Sequence, residues 1–199
     1  MAETRRFDEQ AVLNIALEVL ERRGYREATM VDLAEATGIQ RCTLYHAYGD
    51  KEELFIRAFA NLAVKFYVQA GYALQKPDRR AALQSFFELV VPLDYTARCA
   101  TVIATRLTTE LGDSSERLRG SLAEFFRILE ELLCEALSVE GDGTQLSMSP
   151  GDAAKLLIAT TRGIVVMRDM YLNPAPVMAV IKALLNAVVP STADEQQIR

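Results

Sequence analysis

The chain has 199 residues, of which 50% are hydrophobic and 25% charged, with a formal net charge of −5. This length and apolar content are enough for a buried core and for two domains. No apolar signal core follows Met1, and no run approaches the ~20 apolar residues of a membrane span. Three widely spaced cysteines do not suggest a disulfide framework. We therefore expect a cytoplasmic protein without a membrane partner.

The first predicted element is an amphipathic helix over residues 7–23. Apolar residues recur there at helical spacing, and Gly24 ends the pattern. The inner face of this helix, together with Leu33 and Leu44, is expected to form a small three-helix core. The apolar positions are Val12, Leu13, Ile15, Ala16, Leu17, Val19 and Leu20.

A second helix, a tight turn and a short third helix follow between Thr29 and Tyr48. Thr29 is a candidate N-cap, and Asp32 stands three residues later in a capping-box position. Gly38 supplies the left-handed backbone that ends a helix at low cost. This pattern predicts a helix-turn-helix.

The third helix, predicted over Gln40–Ala47, has only two apolar anchors, Leu44 and Tyr48. Its remaining side chains are hydrogen-bond donors, a cation and an aromatic hydroxyl, which suit phosphate oxygens and base edges. The alternative is a solvated face on a small helical domain. The candidate DNA-binding residues are Thr29, Gln40, Arg41, Cys42, Thr43, Tyr45, His46 and Lys51.

The order and spacing of these residues resemble the DNA-binding domain of TetR-family transcriptional regulators over roughly residues 7–60. The resemblance is carried by Gly24-Tyr25, Thr29, Leu33-Ala34, Thr37-Gly38-Ile39, Thr43-Leu44-Tyr45-His46, Tyr48 and Lys51-Glu52-Glu53-Leu54. It implies that the third helix enters the major groove of a palindromic operator in double-stranded DNA.

The same resemblance implies a role for individual residues. Thr29, Thr43 and Tyr45 are expected to contact phosphates, and Lys51 is expected to contact the DNA backbone. Gln40, Cys42 and Ala47 depart from the serine, small residue and bulky residue that are common in the family. The resemblance therefore implies the fold and not an operator sequence.

The charge of the N-terminal region is unusual for a DNA-binding domain, because residues 1–60 contain eight Lys/Arg and eleven Asp/Glu. A basic domain is the usual electrostatic signature. The cations are concentrated in an N-terminal arm, at Arg5 and Arg6, and around the third helix, at Arg41 and Lys51 with His46. We expect a local positive patch and weak non-specific affinity.

The rest of the chain is predicted to be helical. An acidic cap at Asp50 opens a long helix that reaches about Leu74, and prolines separate further helices near 78–91, 95–111, 114–138, 151–172 and 175–189. The predicted fold class is all-α. It comprises a DNA-binding domain over residues 1–53 and a helical effector-binding and dimerisation domain over residues 54–199.

The last two helices are apolar around most of their circumference, which indicates burial on more than one side. Two such helices from each of two subunits would form a four-helix bundle. Similar TetR-family proteins form dimers in this way, so we predict a homodimer. The alternative is a central helix in a monomeric core. The predicted interface residues are Leu157, Ile164, Met167, Ile181, Leu184, Leu185 and Val188.

Polar residues within the central apolar helices suggest a cavity for a small-molecule effector. Four arginines, at positions 98, 106, 162 and 168, lie in otherwise apolar helices, so an apolar ligand with a carboxylate is expected if one arginine points inward. The alternative is inter-helix hydrogen bonds, with Arg168 and Asp169 facing solvent. The predicted effector residues are Tyr72, Tyr95, Arg98, Thr101, Thr105 and Arg162.

Motifs for catalysis or metal binding are missing from the sequence. His46 is the single histidine, so neither a Ser-His-Asp triad nor a histidine-based metal site can be built, and we expect no enzymatic activity, metal or cofactor. The resemblance to TetR-family regulators, most often repressors, implies a transcriptional repressor released by a small-molecule effector. Two alternatives stay open: a redox sensor that uses Cys99 or Cys42, although Cys99 suits a buried apolar position better, and a helical scaffold protein.

Overall fold

A computed structural model describes residues 7–92, 98–111, 115–139, 145–171 and 173–190. These residues form nine α-helices and no β-strand, which confirms the predicted all-α class. None of these helices combines the length and the apolar character needed to cross a bilayer. The helices are α1 (Glu9–Glu27), α2 (Met30–Thr37), α3 (Arg41–Tyr48), α4 (Lys51–Leu74), α5 (Arg79–Val90), α6 (Ala100–Glu110), α7 (Glu116–Ser138), α8 (Pro150–Met170) and α9 (Ala175–Val188).

The chain divides into two compact units. Unit 1 comprises Met1–Val64 and Arg106–Ala123, and unit 2 comprises Lys65–Thr105 and Glu124–Arg199. Unit 1 therefore includes a segment from the middle of the chain in addition to the N-terminal helices. The predicted domain division after residue 53 stays a prediction.

The three-helix core predicted from the sequence forms part of the core of unit 1, to which α4 adds residues such as Phe55. Helix α1 begins after Asp8, whose carboxylate accepts the Ala11 N–H as an N-cap. Its inner face is buried against Leu33 of α2 and Leu44 of α3, which are both 0% exposed. Burying one leucine side chain stabilises a fold by about 1.5–3 kcal/mol, so these contacts are sufficient to hold three short helices together.

The core of unit 2 contains an aromatic cluster. The ring of Phe125 lies 5.8 Å from Phe66 and 5.5 Å from Tyr67, measured between centroids, and it meets Phe126 edge to face. Aromatic pairs at such separations add stability beyond the area that they bury. Burial raises the pKa of Tyr67 to about 12, so its hydroxyl stays protonated at neutral pH.

Candidate nucleic-acid interface

The capping box at the start of α2 is confirmed. The Thr29 hydroxyl oxygen accepts the Asp32 N–H at 3.2 Å, and the Asp32 carboxylate accepts the Thr29 N–H at 2.9 Å. The Thr29 hydroxyl also donates to this carboxylate. These bonds to Thr29, with Arg23 at 3.0 Å, lower the pKa of Asp32. The start of α2 is thereby fixed by side chains within unit 1.

The turn between α2 and α3 depends on Gly38, which adopts φ 68° in the left-handed region. Other residue types rarely adopt this conformation, whereas glycine adopts it without a steric penalty. Thr37 adds two bonds: its hydroxyl donates to the Leu33 carbonyl at 2.6 Å and accepts the Ile39 N–H at 3.3 Å. The direction in which α3 leaves the turn is therefore set by local hydrogen bonds.

Helix α3 is held by the two predicted anchors, Leu44 (0% exposed) and Tyr48 (3% exposed). Gln40 is its N-cap residue, and the Gln40 carbonyl accepts the Leu44 N–H at 3.1 Å. The Gln40 side chain makes no capping hydrogen bond, and its amide oxygen accepts from the exposed Cys42 thiol at 3.7 Å. The exposed face of α3 comprises Gln40, Arg41, Cys42, Tyr45 and His46, with Thr43 half-buried beside them.

Arg41 and Tyr45 are the two largest groups on this face. The Arg41 guanidinium lies 5.9 Å from the centroid of the Tyr45 ring, a cation–π distance that keeps both groups pointing outward. Within the described ranges, no carboxylate lies at ion-pair distance from Arg41. A solvated guanidinium beside an exposed phenol can bind a phosphate or a guanine edge without first breaking a salt bridge.

Lys51 has a structural role that the sequence analysis did not predict. Its ammonium group donates to the carbonyl oxygen of Tyr25 at 2.7 Å and lies 4.6 Å from the centroid of the Tyr25 ring. Burial lowers the pKa of Lys51. The ammonium has three donors, so it can hold the end of α1 and still offer a hydrogen to a DNA phosphate.

The segment around the end of α6 and the start of α7 also supports the helix-turn-helix. The Tyr25 N–H donates to the Glu110 carboxylate at 2.9 Å, and the Ser115 hydroxyl donates to Glu52 at 2.8 Å. Arg117 forms an ion pair with Glu53. No local sequence signal indicates these contacts, because each pair is more than 60 residues apart in the chain.

Five of the six predicted effector residues lie in the described ranges; Tyr95 lies outside them, as do Arg5 and Arg6 of the predicted arm. Thr101 and Thr105 are buried on α6, Arg98 is half-buried, and Arg162 and Tyr72 are exposed. The Thr101 hydroxyl donates to the Val90 carbonyl, and the Arg162 guanidinium lies 4.9 Å from the Phe126 ring centroid.

The expectation that Arg168 and Asp169 face solvent is wrong for Arg168, which is 3% exposed. Its guanidinium donates to the Pro92 carbonyl at 3.0 Å and pairs with Asp169 at 3.2 Å. A buried guanidinium needs such partners to offset its lost hydration. Arg106 is exposed. Arg168 is thus neutralised by protein groups and by itself gives no reason to expect a carboxylate on the effector.

The predicted dimer residues pack mainly inside the chain. Six of the seven are buried in the isolated chain, and Met167 is half-buried. The exposed apolar side chains of α8 and α9 are different ones, namely Leu156, Val166, Met170 and Met178. The apolar pattern therefore indicates burial correctly, but most of that burial is within the chain's own core.

Unit 1 contains a capped helix-turn-helix, and the second helix of that motif, α3, faces outward and carries a cation. These features place unit 1 in the class of helix-turn-helix proteins. Within the described residues, no group of three His, Cys, Asp or Glu side chains could hold a metal ion. The profile of the family described as bacterial regulatory proteins, tetR family, matches residues 12–58.

Two curated proteins are similar in sequence. The HTH-type transcriptional repressor ComR of Escherichia coli (strain K12) is 28% identical over 136 residues, which is 65% of either chain. The uncharacterized HTH-type transcriptional regulator YezE of Bacillus subtilis (strain 168) is 38% identical over 73 residues, 37% of this chain and 35% of that protein. The chain thus spans less than two thirds of the length of either relative.

Solved structures share the fold over nearly the whole chain. The reduced form of E. coli NemR superposes with a TM-score of 0.81 at 16% identity, covering 92% of this chain and 98% of NemR. A cysteine mutant of the TetR family transcriptional regulator CifR, complexed with 26-bp operator DNA, gives a TM-score of 0.81 at 22% identity. The match covers 94% of this chain and 100% of the CifR chain. The family match thus covers the helix-turn-helix of unit 1, and the solved structures share the fold of the chain.

Proposed function

We propose that this chain binds an operator in double-stranded DNA through α3 and represses transcription until a small-molecule effector releases it. The observation that carries this proposal is the exposed face of α3, which is fixed from behind by Leu44 and Tyr48. A short helix with two buried anchors and an outer face of donors is suited to the major groove.

The contacts proposed for this face divide by chemistry. Thr29, Thr43, Tyr45 and Lys51 are proposed to bind phosphate oxygens, which fixes the register of the protein without reading sequence. Gln40 and Arg41 are proposed to read base edges, because an amide pairs with adenine and a guanidinium with guanine. His46 and Cys42 border the same surface.

A two-fold dimer is part of this proposal, because a palindromic operator requires two α3 helices related by two-fold symmetry. Helices α8 and α9 supply the supporting observation. Leu156, Val166 and Met170 on α8 and Met178 on α9 are 38–71% exposed although they are large and apolar. On α8 they recur at helical spacing, so they form one stripe, which a second copy of the chain would cover.

Repression and effector release are the finer parts of the proposal. The similarity to ComR, which is named a repressor, favours repression over activation. Ligand and DNA must then weaken each other's binding by the same factor, since their coupling is one free energy. The redox alternative is less favoured for Cys99, because its thiol is 5% exposed and lies 3.4 Å from the Leu89 carbonyl oxygen.

Selection of an operator from a random duplex pool, followed by affinity measurement at fixed salt, tests the proposal. Arg41→Ala should cost about 1–3 kcal/mol in operator binding and relax specificity at one base position. Lys65→Ala is a charge-matched control, because Lys65 is exposed on α4 in unit 2. Equal losses for both variants, or a pool from which no sequence is enriched, would show that α3 does not read DNA.

A further inference from the structure

Unit 2 contains a cavity of about 750 Å³ where the end of α4, the start of α5 and the end of α7 meet. Its volume lies within the range of about 300–1,000 Å³ that is usual for small-molecule sites. None of the five predicted effector residues that lie in the described ranges lines it. The cavity is therefore separate from Thr101 and Thr105 of α6, which the sequence analysis predicted as effector residues.

The walls of this cavity are apolar. Leu83 and Leu137 contribute buried side chains, and Leu74 and Leu132 contribute half-buried ones. An apolar ligand would gain about 25 cal/mol for each square ångström of surface that it removes from water here. The cavity walls therefore favour a ligand with a large apolar surface.

Charged side chains also line the cavity, and those that belong to the described part of the chain balance one another in charge. Lys76 and Arg79 are cationic, and Asp78 and Glu135 are anionic. Lys76 donates to the Ser85 hydroxyl, Arg79 donates to the Val139 carbonyl, and Asp78 accepts the Ala81 N–H as the N-cap of α5. This balanced set of charges gives no net electrostatic attraction to a charged ligand. Such a ligand would nevertheless lose its hydration on entering the cavity.

We infer that this cavity is the effector site of unit 2 and that it takes an uncharged, predominantly apolar small molecule. Calling the bound molecule an effector rests on the proposed function. Occupancy itself can be measured without DNA, so a failure of the cavity and a failure of DNA binding are distinguishable.

Gly71 offers a means of filling the cavity without disturbing the fold. It lines the cavity from within α4, and a Cβ added there would meet no atom within 4 Å. Replacement of a helical glycine also raises helix propensity, by up to about 1 kcal/mol for alanine. Gly71→Leu should therefore fold and occupy cavity space. Gly120→Leu is the matched control, because Gly120 lies on α7, is equally open and does not line the cavity.

The experiment is a fluorescence titration of the full chain with N-phenyl-1-naphthylamine, an uncharged apolar probe. We expect saturable binding that Gly71→Leu weakens by about tenfold or more, a difference of ~1.4 kcal/mol, whereas Gly120→Leu leaves it unchanged. The sulfonated analogue 8-anilino-1-naphthalenesulfonate should bind more weakly than the uncharged probe. Ala136→Phe is a second filling variant, because Ala136 lines the cavity on α7. It replaces Gly71→Leu if the melting temperature of Gly71→Leu lies well below that of the native chain.

Three results would overturn the inference. The first is no saturable binding of the uncharged probe by the native chain. The second is equal binding by the native chain and by a folded filling variant, which would place the probe elsewhere. The third is tighter binding of the sulfonate, which would contradict the selection against charge.

Discussion

The backbone N–H of Tyr25 donates to the carboxylate of Glu110, with 2.9 Å between N and Oε2. The same residue's carbonyl accepts from the Lys51 ammonium at 2.7 Å. Tyr25 follows Gly24, which breaks the helical geometry of α1 at φ 77° and ψ 164°. Both peptide groups that flank Tyr25, directly after this break, are therefore held by distant parts of unit 1, from α6 and from α4.

The first prediction concerns the Glu110 carboxylate. Glu110→Ala leaves the Tyr25 N–H without this acceptor, so we expect the free energy of unfolding to fall by about 1–3 kcal/mol. Glu110→Gln keeps an oxygen that can accept and should lose less than half of that amount. Equilibrium unfolding in urea measures both changes.

Thr109→Ala serves as the control for Glu110, because Thr109 is exposed on the adjacent position of α6. Its hydroxyl bonds only to a carbonyl within the same helix turn. We expect a change within about 0.5 kcal/mol there, as for most surface substitutions. A loss for Glu110→Ala no larger than that for Thr109→Ala would show that the hydrogen bond to Tyr25 contributes nothing.

The second prediction compares two glycines with positive φ. Gly24→Ala forces a side chain into the region at φ 77° and ψ 164°, which is essentially restricted to glycine, whereas Gly38→Ala forces one into the left-handed helical region at φ 68° and ψ 13°. Such conformations cost of order 1–3 kcal/mol each. At Gly24 the new Cβ would also lie 3.0 Å from Glu110 Oε2, whereas at Gly38 it would meet nothing within 4 Å. Gly24→Ala should therefore destabilise the chain more than Gly38→Ala.

A double-mutant cycle tests the reason for this difference. In a Glu110→Ala background the close contact is gone, so the cost of Gly24→Ala should fall by the part that this contact contributes, while the part that comes from the backbone conformation of Gly24 remains. Strict additivity of the two changes in urea unfolding would show that the contact with Glu110 is not what distinguishes Gly24.

The local features of unit 1 could be predicted from the sequence, because each depends on neighbouring residues. The capping box of Thr29 and Asp32, the left-handed Gly38, and the anchors Leu44 and Tyr48 are all confirmed. The bonds from Lys51 and Glu110 to Tyr25 could not be predicted, since residues 26 and 85 positions apart are brought together only by the tertiary fold.

Unit 2 was less predictable for a physical reason. A threonine in an apolar helix can bond to a backbone carbonyl instead of a ligand, as Thr161 does to Leu157 at 2.8 Å. Apolar residues around a whole helix also do not reveal which side faces the core. Leu157 is 0% exposed and belongs to the core, whereas its neighbour Leu156 is 38% exposed.

The third prediction separates the two roles of Lys51. Lys51→Ala removes the donor to the Tyr25 carbonyl, so urea unfolding should show a loss of about 1–3 kcal/mol. It should also weaken DNA binding by a similar factor for all sequences, because a phosphate contact carries no sequence information. A loss of stability with unchanged affinity for DNA would restrict Lys51 to its structural role.

The fourth prediction concerns the pH dependence of the capping box. The hydrogen bonds from Thr29 lower the pKa of Asp32 below its ordinary value of 3.8. A carboxyl whose pKa is lower in the folded state stabilises the fold above the pKa of the unfolded state and loses that contribution as pH falls through the folded value. Asp32→Asn should therefore lower the melting temperature at pH 7, and the gap to the native chain should close as pH falls from 3.8 through the lower folded-state pKa.

Asp78→Asn in unit 2 is a comparison for Asp32→Asn. The Asp78 carboxylate also caps a helix, by accepting the Ala81 N–H, but it is not part of a reciprocal capping box like that of Thr29 and Asp32. A gap between native chain and Asp32→Asn that stays constant from pH 7 to pH ~3 would contradict the assigned role of the charged carboxylate.

The last prediction concerns the exposed stripe of α8. Val166 is 46% exposed, so Val166→Glu should leave the isolated chain folded. If a second copy covers the stripe, the new carboxylate becomes buried without a partner at a cost of ~3 kcal/mol or more, which weakens the dimer by at least about a hundredfold. Sedimentation velocity measures the dissociation. Val64→Glu is the matched control, since Val64 is 61% exposed on α4, outside the stripe, and should leave the dimer intact. A native chain that sediments as a monomer at micromolar concentration, or a Val166→Glu variant that remains dimeric, would exclude this stripe as the interface.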